Sequence, residues 1–97
     1  FLRDLQGDRY ELNYLRDKEG HEVDFIILKN RKPVCLIEAK WSDSIPSSNL
    51  SYFGDKLGVQ NRLQLVAHLE EDSIKKGIRI VNAGKWLSQP LDQEIFG

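Results

Sequence analysis

Residues Tyr10 to Arg16 (YELNYLR) alternate between apolar or aromatic and polar side chains, the period-two pattern of a strand. Asp17-Lys18-Glu19-Gly20 is polar and ends in glycine, a turn signature. Glu22 to Lys29 (EVDFIILK) reads as the next strand, Asn30-Arg31-Lys32-Pro33 as a second turn, and Val34 to Trp41 (VCLIEAKW) as a third strand. Tyr10 to Trp41 is therefore expected to form an antiparallel three-strand meander. After the loop Ser42 to Pro46, the run Ser47-Ser48-Asn49 offers N-cap oxygens; Leu50, Phe53 and Leu57 recur at helical spacing, and Gly58 supplies the stop. Leu63 to Leu69 alternates like a strand, and Glu70 to Lys76 is a charged connection with room for one helical turn. Ile78 to Val81 is a short strand, and Gly84 to Ser88 starts a last short helix. The expected order is β-β-β-α-β, then a short β and a short α.

Two of these strands are apolar on both faces. Val23, Phe25 and Ile27 oppose Ile26 and Leu28, and on the next strand Cys35 and Ile37 oppose Val34 and Leu36. Such a sheet needs cover on both sides. One full helix covers one side, so the second side calls for a helix upstream of Phe1 or a partner. The pattern predicts an α/β/α sandwich whose first helix is missing from this segment, with one under-covered face that favours a homo-oligomer. A chain without methionine that opens on Phe1 is expected to be a fragment of a longer protein.

Composition adds bounds. The 97 residues suit one domain, residues 1–97, and 40% hydrophobic with 30% charged residues is an ordinary globular mixture. No apolar run approaches the roughly 20 residues of a membrane-spanning helix, so no membrane partner is expected. The single cysteine, Cys35, lies in an apolar stretch and reads as a small buried hydrophobe, which fits a reducing cytoplasm. A formal net charge of −1 gives no global field for nucleic acid, so DNA contact would need a local basic patch.

Chemistry concentrates on the second and third strands. By alternation Glu22 and Asp24 share one face, and so do Glu38 and Lys40. If the turn centres on Arg31, Asp24 lies directly opposite Glu38, with Cβ atoms roughly 4.5–5.5 Å apart. One residue more or less in the turn would break the match. Carboxylate–lysine clusters on strands are commonly structural ion pairs, and an isolated Glu-x-Lys triplet carries little. The strand–turn–strand context, the upstream Asp24 and the helix that follows give it weight. Phosphodiester cleavage needs an activated water and neutralisation of charge building on the phosphate. Mg²⁺ takes hard oxygen ligands, keeps several waters and needs only one or two protein carboxylates. Asp24 and Glu38 can supply these, the backbone carbonyl of Ala39 a third oxygen, and Lys40 can orient the water or stabilise developing charge.

Glu11-Leu12 through Arg16, Gly20-His21-Glu22-Val23-Asp24-Phe25-Ile26-Ile27 and Leu36-Ile37-Glu38-Ala39-Lys40 together resemble the DUF4143 domain. The likeness covers Tyr10 to about Phe53 and is looser beyond. DUF4143 domains usually stand at the C-terminus of AAA-type ATPases and are assigned to the PD-(D/E)xK, or restriction-endonuclease-like, fold. The resemblance implies that Asp24 and Glu38 bind Mg²⁺ (or Mn²⁺) and that Lys40 assists catalysis. Val23-Asp24 replaces the usual Pro-Asp pair. The acidic residue that many such nucleases carry on a preceding helix is not in this chain, which leaves Glu22 as the auxiliary ligand.

Two functions follow as expectations. One is a metal-dependent nuclease-like domain hydrolysing DNA phosphodiester bonds beside an upstream ATPase domain of the same chain. The other is a catalytically inactive module that binds DNA or docks onto its ATPase. Of the remaining residues, His21 and His68 stand isolated and read as structural or solvated. Lys75, Lys76, Arg79 and Lys85 lie close to Glu70-Glu71-Asp72 and read as a solvated charged segment. Trp41 is expected to pack at the strand end, with walling of the site or stacking on a base as the alternative role. Gln60 resembles a polar residue that some relatives place near the site. No P-loop string occurs, so ATP hydrolysis would have to lie upstream.

Overall fold

The computed structural model of the chain describes residues 2–3 and 8–88. The protein is a mixed α/β fold built on one open sheet. Strands β1 (Leu2–Arg3), β2 (Arg9–Arg16), β3 (Glu22–Lys29) and β4 (Lys32–Lys40) precede helix α1 (Ser48–Leu57). Strands β5 (Arg62–Val66), β6 (Ser73–Lys75) and β7 (Ile78–Asn82) and the short helix α2 (Ala83–Leu87) follow. The sheet order is β1-β2-β3-β4-β5-β7-β6. Pairing is antiparallel from β1 to β4, parallel from β4 through β5 to β7, and antiparallel again to β6.

The meander and the main helix form where the pattern places them. Ser47 caps α1 through its hydroxyl, which accepts the Leu50 amide at 3.3 Å. Gly58 closes the helix in the left-handed region (φ 68°), a conformation that costs glycine nothing. The strand expected to run to Leu69 ends at Val66. The charged connection is not a helical turn: Ser73–Lys75 is an edge strand, folded back on β7 by a two-residue turn with Lys76 and Gly77 both at positive φ (53° and 74°). One exposed isoleucine among charges hides such a strand, because an edge strand buries almost nothing.

The core has two halves, one per sheet face. Val23, Ile26, Leu36, Val66, Ile78 and Ile80 pack beneath Leu50 and Phe53 of α1. Tyr10, Ile27, Cys35, Ile37, Leu63, Leu65 and Val81 form the second cluster, against which Ala83 and Trp86 of α2 pack. The double apolar character of β3 and β4 is thus used on both sides. The expected under-coverage is confined, among the described residues, to part of one face. Every member of the second cluster is buried, and α2 supplies part of its cover from within the chain. Exposure remains at one corner, where Leu12, Tyr14 and Phe25 stand open on β2 and β3. The helix expected upstream of Phe1 lies outside the described residues. Among the described residues, no helix is long and apolar enough to cross a membrane.

Candidate functional site

The β3–β4 hairpin sets the register on which the site depends. Asn30 and Arg31 both adopt positive φ (50° and 70°), forming a two-residue turn that pairs Lys29 with Lys32. This turn is tighter than one centred on Arg31. Carried on unchanged, it would set Asp24 against Ile37 and put Glu38 out of phase. The ladder instead slips by one residue: Leu28 pairs with Pro33 but Ile27 with Cys35, which leaves Val34 as a bulge. Beyond the bulge Phe25 meets Ile37, so the next position along brings Asp24 level with Glu38.

Asp24 sits at a second irregularity. Against β2, Ile26 pairs with Asn13 but Val23 with Leu15, so Asp24 and Phe25 together oppose Tyr14. The Asp24 carboxylate uses this freedom to reach across to β4, where its Oδ2 accepts the Ala39 amide at 2.8 Å. Leu36 donates its amide to Asn61 and Lys40 accepts the Ala67 amide through its carbonyl, so even-numbered backbone groups of β4 face β5. The odd-numbered ones face β3, and the Ala39 carbonyl is therefore directed toward the Asp24 side.

Leu36 packs beneath α1, and by alternation Glu38 and Lys40 continue that face. Glu38 is 8% exposed. Its Oε1 lies 3.8 Å from the Lys40 ammonium, an ion-pair contact longer than a hydrogen bond. Its Oε2 is buried and has no hydrogen-bond partner among the described residues. A buried, unsatisfied acceptor costs about 1–3 kcal/mol, more when charged, so this oxygen is held at a cost that the protein alone does not offset. Lys40 keeps about a third of its side chain in solvent.

A fully buried Gln64 stands beside Glu38 on β5. Its Oε1 accepts the Ser47 amide (2.9 Å), and its Nε2 donates to the carbonyls of Asp43 (3.1 Å) and Ile45 (2.9 Å). One side chain thereby fixes the loop between β4 and α1 next to Glu38. The signal in the sequence was a polar residue interrupting the apolar run Leu63-Gln64-Leu65-Val66 on the parity of Val66. Gln60 is exposed and precedes β5 at the end away from Lys40.

The expected auxiliary ligand goes elsewhere. Val23 packs under α1, which puts Glu22 by alternation on the other face, and Glu22 accepts the Tyr14 hydroxyl. That hydrogen bond, with burial and the negative charge of Glu22, pushes the Tyr14 phenol above its ordinary value. Among the described residues, the only three ligand-bearing side chains converging within 4.8 Å are Asp17, Glu19 and His21, at the β2–β3 turn. His21 is not isolated: its Nδ1 lies 3.1 Å from Asp17 Oδ2, and its ring stacks on Tyr52 of α1 at 3.9 Å. Burial pushes the Asp17 carboxyl up, but hydrogen bonds from Tyr52 and from the His21 and Glu19 amides outweigh it and leave it below its ordinary 3.8. This group clamps the hairpin to α1. Burial pushes the Cys35 thiol up to about 12, so it is no nucleophile.

Asp24, Ala39 and Glu38 carry hard oxygen donors, the kind that a divalent cation such as Mg²⁺ takes. They offer a buried Glu38 oxygen with no hydrogen-bond partner among the described residues, an Asp24 carboxylate with one oxygen committed to the Ala39 amide, and the Ala39 carbonyl facing β3. No curated protein and no solved structure matches the chain. A family model does, that of DUF4143, described as a domain of unknown function, over residues 2–86. With most of its length matched, the chain belongs to the DUF4143 family.

Proposed function

We propose that this chain is a metal-dependent nuclease-like domain of the PD-(D/E)xK type, acting on DNA phosphodiester bonds. The observation that carries the reading is the Glu38 Oε2 atom, buried and without a hydrogen-bond partner among the described residues, one residue from Ala39 and two from Lys40. Natural proteins retain few such groups, and a missing ion is one of the standard reasons for them. Asp24, Glu38 and the Ala39 carbonyl would hold Mg²⁺ or Mn²⁺, which lowers the pKa of a bound water and neutralises phosphate charge. Lys40, about a third in solvent and loosely tied to Glu38, is free to turn its ammonium to a phosphate oxygen or to the attacking water. The Asp24–Ala39 hydrogen bond fixes the carboxylate on the backbone of the very strand that carries Glu38 and Lys40. DUF4143 is a domain type found with ATPase domains, which supports a motor domain of the same protein as partner.

A second reading, a docking module for that ATPase, draws on the open corner of Leu12, Tyr14 and Phe25 and on the net charge of −1. Calorimetric titration with Mn²⁺, paired with a plasmid-nicking assay, separates the two. The nuclease-like reading expects Mn²⁺ to bind wild type and Lys40→Ala alike, Glu38→Gln to bind far more weakly, and Lys40→Ala to cut roughly 10²–10³-fold more slowly. Wild type that takes up no Mn²⁺ and cuts nothing leaves the docking module.

A further inference from the structure

We infer that Trp41 is a stacking platform for an unpaired nucleobase, so that the strand presented to the Glu38–Lys40 site is single-stranded. This rests on the nuclease-like reading for its site and adds the class of substrate. A tryptophan at the end of a strand is expected to bury its large apolar surface, yet Trp41 is 74% exposed. It is held in place nonetheless. Its carbonyl accepts the His68 amide at 2.9 Å, and the His68 ring packs against the indole edge-on, with centroids 4.5 Å apart at 74°.

Ile45 is exposed to the same degree. Its backbone is pinned twice, by Asp43 Oδ1 on its amide (2.8 Å) and by Gln64 on its carbonyl. Two open apolar side chains thus stand at the ends of an anchored loop. That loop lies at the carboxyl ends of the parallel strands β4 and β5, where open α/β sheets bind their ligands. Trp41 directly follows Lys40.

Charge selects the kind of ligand. Duplex binding draws mainly on phosphate neutralisation, but Glu70, Glu71 and Asp72 follow His68 closely and the net charge is −1. An exposed indole adds a contact that a duplex cannot use, because stacking is available to bases that are not already stacked on their neighbours.

The test uses the Trp86→Phe protein, in which Trp41 is the remaining tryptophan. In chelating buffer, Trp41 emission is followed against a single-stranded oligothymidylate, the corresponding duplex, and an abasic phosphodiester chain. Only the single strand with bases should quench it. By anisotropy of a labelled oligothymidylate, Trp41→Ala should bind roughly 5- to 100-fold more weakly, with Trp41→Phe restoring most of the loss. Equal binding of the abasic chain or duplex, unchanged binding by Trp41→Ala, or emission changes that track protein concentration without nucleic acid would each overturn it, the last by assigning the patch to self-association. Mn²⁺ titration of the same samples reads the metal site separately. Mn²⁺ uptake without single-strand preference ends this inference alone, and base-dependent quenching without Mn²⁺ uptake ends the nuclease-like reading alone.

Discussion

Asp24 closes the β3–β4 ladder with its side chain rather than its backbone: Oδ2 accepts the Ala39 amide at 2.8 Å, beyond the Phe25–Ile37 rung. A carboxylate that replaces a main-chain acceptor has a structural and a chemical role at once, and the two separate by substitution. Asp24→Asn keeps an oxygen for the Ala39 amide and should fold with stability close to wild type while losing most Mn²⁺ affinity. Asp24→Ala orphans that amide and should cost about 1–2 kcal/mol in urea denaturation. If Asp24→Asn is as damaging to stability as Asp24→Ala, the charge itself holds the strands together.

Glu38 should be a liability to the fold without metal. Glu38→Gln removes a charge from a buried site at the expense of one loose ion pair, of a kind worth at most about 1 kcal/mol. In chelating buffer the variant should be as stable as wild type or about 1 kcal/mol more so, and Mn²⁺ should then stabilise wild type alone. A clear drop in melting temperature for Glu38→Gln without metal would mean that Oε2 is satisfied in solution.

Gln64 should matter more than any other polar residue of the core. Gln64→Leu keeps the volume but leaves the Ser47 amide and the Asp43 and Ile45 carbonyls without their partner. The expected loss is about 2–4 kcal/mol, with faster amide exchange concentrated in residues 43–50. Uniform exchange along the chain would argue against a local anchor.

The Asp17 clamp gives a pH dependence with a defined sign. Its folded-state pKa lies below the ordinary 3.8, so its stabilisation is complete above that value and is lost as pH falls through the lower folded value. Between neutral pH and pH 3, wild type should lose more stability than Asp17→Asn, whose corresponding contacts do not titrate. Parallel acid profiles for the two proteins would remove Asp17 from the account.

Gly54 is the place where helix propensity gives the wrong advice. Alanine is favoured over glycine inside a helix by about 1 kcal/mol, but a Cβ here would overlap the Arg62 guanidinium. Arg62 would have to leave the Val59 carbonyl and Asp55, which it holds at 2.8 and 2.9 Å. Gly54→Ala should therefore fail to stabilise and should lower the melting temperature. A higher melting temperature would show that Arg62 relocates freely.

Hydrophobic period by itself determined the meander, the main helix with its Ser47 and Gly58 ends, and the two-faced core of β3 and β4. Each of these follows from local sterics and from which side chains must leave water. Local alternation also placed Glu38 and Lys40 on one face, because two residues on one strand need no partner to be compared. It could not decide how Asp24 stands to Glu38. That relation depends on a tight Asn30-Arg31 turn and a compensating bulge at Val34, two one-residue effects that cancel and leave the hydrophobic pattern unchanged. Nor could it show that Gln64 anchors the loop, that Glu22 turns to Tyr14, or that Trp41 stays in solvent. Those outcomes are fixed by which backbone groups and side chains from distant segments meet, and contacts of that kind leave no period in a sequence.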